Sequence, residues 1–599
     1  MIYHCEDHTC NYWDEGEKLP ERCPQCGRKL LRANEADMTG DDWTALGNTL
    51  WDAEASDKKR MVDCFRKAAY LGSAWGVCNL GICMEQGNGV EADPVQAFWL
   101  YQQAVEMGSL NAVCCLGVCY EYGIGTAPDA EKAAELYCKA AEYGSPRGQM
   151  LLAHAFHDGI GVEADAAEAV HWVRAAAYQR YGEGMHRLGV CYEYGDGVEQ
   201  NWERAVHWFR EAAESGVSAA MTDLGYCYEK GCGVEQSWEQ AFSWYRRGAE
   251  CGDPVSMSNL GLCYKRGYGV EQNWQEAIKW YEQGAQCGDL QSMHNLARCY
   301  ERGEGVEQNE DRALYWYRRS AEGGNGDAMC NLGRCYERGY GVEQNWQEAV
   351  KWYEQGAQCG HLQSMNNLAC CYEDGEGVEQ NMTEAIRWYT AAAEGGNADA
   401  MHNLGWLYDH GEGVEQDMKK AICWYERAAE QNHPAAMNSL GECYAMGRGV
   451  PRDLETAMEW YRRAAELGEA MADYNMGWHL EQAGKLSEAY AHYRKAADGN
   501  DDSAWWALGR FYENGVVVAQ DGKEARCCYE TGEKLGSVKC KMRLARCKLL
   551  GIGGRRAKKA GLDLCRQALE LAKESSEKED YGYEAEMNLL RRTIAENES

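Results

Sequence analysis

The sequence predicts an all-α fold, an α-solenoid of about fifteen helix-turn-helix repeats of 36 residues, and three observations carry that prediction. A Leu-Gly or Leu-Ala pair returns at a fixed interval, a Gly-x-Gly break follows it, and a capping residue then opens a second apolar run containing Trp-Tyr and Ala-Ala. A 599-residue chain with a single core would outgrow the roughly 250–300 residues at which cores stop enlarging. A repeat array escapes that limit, because each unit packs only on its neighbours.

The anchor pairs begin at Leu80, Leu116, Leu152, Leu188, Leu224, Leu260, Leu296, Leu332, Leu368, Leu404 and Leu440, and Met476-Gly477 continues them in steps of 36. Leu46, Leu508 and Leu544 extend the series with steps of 34, 32 and 36, the irregularity expected where end repeats cap a stack. The array therefore covers 38–552, between a segment 1–34 that breaks the pattern and a segment 555–599 that predicts capping helices.

Within the unit that starts at Asp399, Met401, Leu404, Leu407 and Tyr408 recur at helical spacing and predict helix A, which the Gly-x-Gly break ends. Helix B opens at Asp93, Asp129, Asp165, Asn201, Ser237, Asn273, Asn309, Asn345, Asn381, Asp417 and Asp453, whose side-chain oxygens accept a free backbone N–H. Glu276, Glu348 and Glu384 stand three residues further on and predict capping boxes in three copies. Ala421, Trp424, Tyr425, Ala428 and Ala429 then form one apolar stripe, with small residues where helices approach closely. No single hairpin buries both stripes, so stacking at roughly 8–10 Å between helices has to supply the core.

Composition narrows the function. With 61 Lys+Arg against 95 Asp+Glu the net charge is −34, a field that repels phosphate backbones and anionic lipid, so neither nucleic acid nor membrane is an expected partner. The start MIYHCEDHTC has no basic or apolar leader, and no run approaches the roughly 18 apolar residues of a membrane span, so the expected compartment is the cytoplasm. Thirty cysteines in such a chain read mostly as reduced thiols.

The pattern A-x-x-x-L-G-x-x-Y-x-x-G-x-G-V-x-x-N/D-x-x-x-A-x-x-W-Y-x-x-A-A is nearly whole from Ala328 to Ala357 and from Ala400 to Ala429, and it resembles the Sel-one-like repeat (SLR). That repeat is a relative of the tetratricopeptide repeat. The resemblance implies a right-handed tetratricopeptide-like superhelix that serves as a non-enzymatic protein-interaction scaffold. Segments Gly267–Asn309 and Gly339–Asn381 are almost identical and 72 residues apart, so a two-repeat block was copied.

At the N-terminus, Cys5 and Cys10 followed by Cys23-Pro-Gln-Cys26 resemble the two knuckles of a zinc ribbon or rubredoxin-like module. Four thiolates from two turns close a tetrahedron round one structural Zn²⁺. His4 and His8 beside the irregular first knuckle leave a Cys/His mixture open, and iron on the same ligands would make the chain an electron-transfer or redox protein.

Other residues recur in register. Cys83, Cys119, Cys191, Cys227, Cys263, Cys299, Cys335, Cys371 and Cys443 follow the anchor by three and read as small apolar core residues. Asn79, Asn259, Asn295, Asn331, Asn367, Asn403 and Asn475 precede the anchor; they stand either against a bound peptide on the concave helix-A face or against neighbouring helices. Arg298 with Arg302, and Arg334 with Arg338, are i,i+4 pairs that Arg266 joins, a basic patch for an acidic partner segment or for intramolecular pairing with glutamates such as Glu301 and Glu337. Trp202, Trp238, Trp274 and Trp346 follow the cap residue, either covering the next repeat or exposed as anchors. No phosphate loop, HExxH helix or GxSxG elbow occurs, which leaves a hydrolase only as an alternative with an unrecognised site.

Overall fold

The glycine after the anchor leucine explains how the two helices of a repeat meet. A Cβ at Gly333 would lie 2.4 Å from the ring of Tyr353, and one at Gly225 would lie 2.6 Å from that of Tyr245, so the missing side chain lets the helix-B ring rest flat on helix A. In the computed structural model, which describes residues 2–5, 13–15, 30–32, 38–51, 55–578 and 584–598, this contact recurs from hairpin to hairpin.

The chain forms two compact units, Met1–Gln308 and Asn309–Ser599. The first carries three short strands, β1 (Ile2–Cys5), β2 (Trp13–Glu15) and β3 (Leu30–Arg32), in the antiparallel order β2-β1-β3. Seven hairpins follow, from Gly40–Thr49 paired with Ala55–Tyr70 to Pro254–Arg266 paired with Trp274–Gln286, and then the single helix Leu290–Arg302. The second unit opens with helix Glu310–Glu322 and continues with seven hairpins, from Gly326–Arg338 paired with Trp346–Gln358 onward. Its last pair joins Val538–Leu550 to Lys558–Lys578, so the segment predicted as capping helices begins with the second helix of a hairpin. Glu584–Glu598 then packs on both.

The joints follow from local chemistry. Helix A ends on a left-handed glycine such as Gly267 (φ +74°), whose N–H returns to the Cys263 carbonyl at 2.8 Å, while the next N–H, that of Tyr268, reaches the same oxygen at 3.0 Å. Gly269 (φ +68°) comes so close to the start of the preceding helix B that a Cβ would stand 2.2 Å from the Trp238 carbonyl oxygen. Each predicted cap residue accepts the expected backbone N–H, as Asn345 does from Glu348 at 3.1 Å. The predicted capping boxes do not close. Glu276, Glu348 and Glu384 turn outward to Lys279, Lys351 and Arg387, one turn along the exposed face.

The helix-B tyrosine is the centre of each repeat. Tyr101, Tyr137, Tyr245, Tyr353, Tyr389 and Tyr529 are buried, and their hydroxyls donate to Glu85, Glu121, Glu229, Glu337, Glu373 and Glu513, each sixteen residues earlier on helix A, at 2.5–2.8 Å. The tryptophan before the tyrosine packs against this core and carries an arginine on its face, as Arg247 does on the buried Trp244 at 4.2 Å and Arg427 on the half-buried Trp424 at 4.3 Å. Tyr281 is an exception that tests the pair. Lys265 occupies the glutamate position, and the buried Tyr281 hydroxyl has no hydrogen-bond partner.

Two tyrosine-to-phenylalanine substitutions follow. Tyr353→Phe strands the Glu337 carboxylate and is expected to destabilise its hairpin by about 1.5–3 kcal/mol, whereas Tyr281→Phe removes an unpaired hydroxyl and is expected to be neutral or stabilising. Hydrogen exchange resolved by repeat checks both, and equal losses at the two sites would show that the carboxylate contributes nothing.

Candidate functional site

Four columns of helix-A positions share one face of a hairpin: one before the anchor leucine, and two, five and six after it. In the hairpin Pro146–Asp158 with Ala166–Tyr178 these are Leu151, His154, His157 and Asp158, and they line a cavity of about 610 Å³. That volume lies in the ordinary range for ligand pockets, roughly 300–1,000 Å³. The adjoining helices contribute Glu121 and Tyr122 on one side and Arg187, Cys191 and Asp196 on the other.

A missing ring makes room for it. Every repeat from Phe65 to Tyr529 has Tyr or Phe at the core position of helix B, except this one, where Val173 stands. Val173, Val170, Ala169, Ala153 and Cys191 are the buried members of the lining. Ala153 occupies the place on which the ring would rest, and His157 replaces the carboxylate that would receive its hydroxyl.

Most of the charged lining residues are engaged, some with one another and some with neighbouring side chains. Glu121 accepts from Tyr137 at 2.6 Å and Glu183 from Tyr181 at 3.1 Å. His157 contacts Asp158 through Nδ1 and Asp196 through Nε2 at 3.2 Å, while His154 reaches Asp158 at 3.1 Å. The contact with His157 holds the Asp158 carboxyl below its usual range. Arg147 donates to Asn111 at 2.7 Å and to the Cys115 sulfur at 3.5 Å. Arg187, half-buried, makes no hydrogen bond or ion pair among the described residues.

The family then follows from the sequence segments that build these hairpins. Thirteen of them match the Sel1 repeat model, at 76–109, 112–145, 146–181, 182–217, 218–253, 254–289, 290–325, 326–361, 362–397, 398–433, 434–469, 470–501 and 504–537. The chain belongs to the Sel1 repeat family. It is similar to c5321, a protective antigen of uropathogenic Escherichia coli strains with an SLR fold, at 32% identity over 75% of this chain and 97% of that one, with a TM-score of 0.51. A Sel1 repeat protein from Oxalobacter formigenes is 32% identical over 41% of this chain and 96% of its own, with a TM-score of 0.37. No curated protein sequence matches the chain.

In this Sel1 solenoid the asparagine row sits between neighbouring A helices. Asn79 donates to Asn48 at 2.8 Å, Asn367 to the Cys330 sulfur at 3.5 Å and Asn403 to Asn366 at 3.2 Å, while Asn475 reaches both Asn438 at 3.0 Å and Glu442 at 3.2 Å. Asn295 accepts weakly from Gln291 at 3.5 Å, and Asn331 is half-buried in the same column. Asn259 makes no hydrogen bond among the described residues.

The arginines are more open. Arg266, Arg302, Arg334 and Arg338 are exposed and Arg298 half-buried. Arg302 approaches Glu304 at 3.8 Å, and Arg338 approaches Glu337 at 3.9 Å. Arg266 and Arg298 act electrostatically on the Tyr281 hydroxyl. The tryptophans cover the next repeat: Trp238 is half-buried and stacks on Tyr268 with ring centroids 4.1 Å apart.

The cysteine ladder is buried, and burial pushes the thiols of Cys83, Cys119, Cys191, Cys227, Cys263, Cys299, Cys371 and Cys443 up to about 11 or 12, so they stay protonated at neutral pH. Cys10, Cys23 and Cys26, and the side chain of Cys5, lie outside the described residues. Among the described residues no cluster of His, Cys, Asp or Glu has the geometry to hold a metal ion, and no helix is long and apolar enough to cross a membrane.

Sequence reading missed Val173. Its signal was a Trp-Val pair at Trp172 where the other regular repeats read Trp-Tyr, Trp-Phe or Leu-Tyr. The asparagine ladder yields its own expectation: Asn475→Ala breaks two inter-repeat bonds and should cost about 1–2 kcal/mol, while Asn259→Ala should stay within about 0.5 kcal/mol. Denaturant unfolding checks both, and equal losses would separate stability from the ladder.

Proposed function

We propose that the protein is a non-enzymatic scaffold that holds acidic partner segments along its helix-A face, with Arg266 and Arg298 of the first unit and Arg302 beside them as the basic contacts. One observation carries this reading. Lys265 takes the position where most other repeats hold a glutamate, which leaves the buried Tyr281 hydroxyl without an acceptor, and Arg266 and Arg298 without an ion pair, among the described residues. Lys265 itself pairs with Glu304 at 3.0 Å. A carboxylate arriving from a partner meets the two cations above that buried hydroxyl, in a chain whose net charge of −34 makes such a patch exceptional. In the second unit Arg334 and Arg338 offer the same chemistry.

The fold supports a binding role in general, since Sel1 hairpins stack to present a long face of variable side chains. The test places a photo-crosslinking residue at Asn259 on the A face and another at Glu282, exposed on a B helix. Adducts are expected from the first position only. With Arg266→Glu and Arg298→Glu they should fall about fivefold, and they should weaken as salt rises from about 0.05 to 0.5 M. Equal adducts from both faces would overturn the reading.

For the N-terminal segment we propose, from the cysteine spacing alone, one structural Zn²⁺ on Cys5, Cys10, Cys23 and Cys26. Metal analysis of purified protein should return one zinc per chain and a colourless solution. Stoichiometric iron with visible absorption would replace this with the electron-transfer reading.

A further inference from the structure

The cavity of about 610 Å³ at Val173 differs from the basic patch in what it offers: an apolar floor of the shape a ring fills, with one disengaged cation at its edge. In the other repeats the ring of the helix-B tyrosine rests on the residue after the anchor and reaches the residue five after it. Here those residues are Ala153 and His157, and both line the cavity. Alanine in the first place does not exclude a ring, because Ala369 and Tyr389 share a core. The space exists because helix B supplies valine.

The rim selects the charge. Glu121, Glu183, Asp158 and Asp196 are each committed to a tyrosine or a histidine, whereas Arg187 makes no hydrogen bond or ion pair among the described residues and acts on Asp158 only through its field. In the Asn79 and Asn475 repeats its column bonds the neighbouring A helix, but Arg187 lines the cavity instead. A half-buried guanidinium without a partner is a strong receiver for a carboxylate.

We propose that this cavity is a docking site for a partner segment bearing an aromatic side chain with a carboxylate beside it, the ring occupying the space tyrosine fills in the other repeats and the carboxylate pairing with Arg187. The inference rests on the scaffold reading and names a second contact of that same face. A ring buried this way leaves water and anchors a short segment.

The test measures binding of a fluorescent peptide, Gly-Ser-Phe-Asp-Gly, and of its Phe-Asn and Ala-Asp counterparts to the full chain. Wild-type protein should bind the Phe-Asp peptide at least tenfold more tightly than either counterpart. Val173→Tyr closes the cavity and should weaken that binding at least tenfold. Arg187→Gln, which removes no hydrogen bond or ion pair among the described residues, should abolish the preference for Asp over Asn while leaving the preference for Phe over Ala. Circular dichroism and thermal unfolding report whether each variant folds, and Arg187→Gln keeps the test decisive if Val173→Tyr does not.

Binding unchanged by both substitutions, or no binding of any peptide by the wild type, overturns the inference. The crosslinking from Asn259 separates the two readings: adducts there without peptide binding at Val173 remove the cavity site and leave the scaffold, whereas no adducts remove the scaffold itself.

Discussion

Most repeats depend on one contact, the ring of a helix-B tyrosine laid on a small residue of helix A, usually glycine, with its hydroxyl on a helix-A carboxylate. The glycine sets how closely the helices approach, the ring fills the space between them, and the hydrogen bond fixes the rotation of one helix about the other. The three conditions are coupled. A Cβ at Gly333 would run into Tyr353, and without Glu337 the buried hydroxyl would lose its acceptor. Burial drives the ring inward and leaves its hydroxyl needing an acceptor, so the fold places a carboxylate at the one point where the ring ends.

Stacking is secured by backbone. The left-handed glycine that ends helix A, and the second glycine pressed on the start of the preceding helix B, bring successive hairpins together without side chains between them. Cap residues and tryptophans seal that joint. The asparagine ladder adds bonds between A helices, so a column of polar side chains that looks like a recognition surface serves largely to hold neighbours in register.

Because most repeats share this arrangement, the departures at Val173 and Lys265 mark places where a different pressure acted. Val173 gives up the ring, and Lys265 gives up the carboxylate. The first opens a cavity with an unpaired arginine at its rim; the second leaves an unpaired hydroxyl among cations. Both lie on the helix-A face of the first unit, and both lack what a partner carrying a ring or a carboxylate would bring. A stack whose stability is a sum over neighbours tolerates such losses locally, which is why a repeat protein can place binding sites inside its own core pattern.

The sequence by itself determined the hairpins, their period, their caps and the family, because each of these is a local or strictly periodic requirement: a glycine where φ is positive, an Asn or Asp where a helix has free N–H groups, an apolar stripe at helical spacing. It also showed the arginines and asparagines as columns. Tertiary structure alone decided what those columns touch. It turned Glu276, Glu348 and Glu384 outward to cations instead of back to the cap, put Asn403 and Asn475 between helices, and joined residues as far apart as Glu121 and Asp196 around one missing ring. The physical reason is that a side chain's partners three dozen residues away are set by how hairpins stack, and no spacing within one hairpin carries that information.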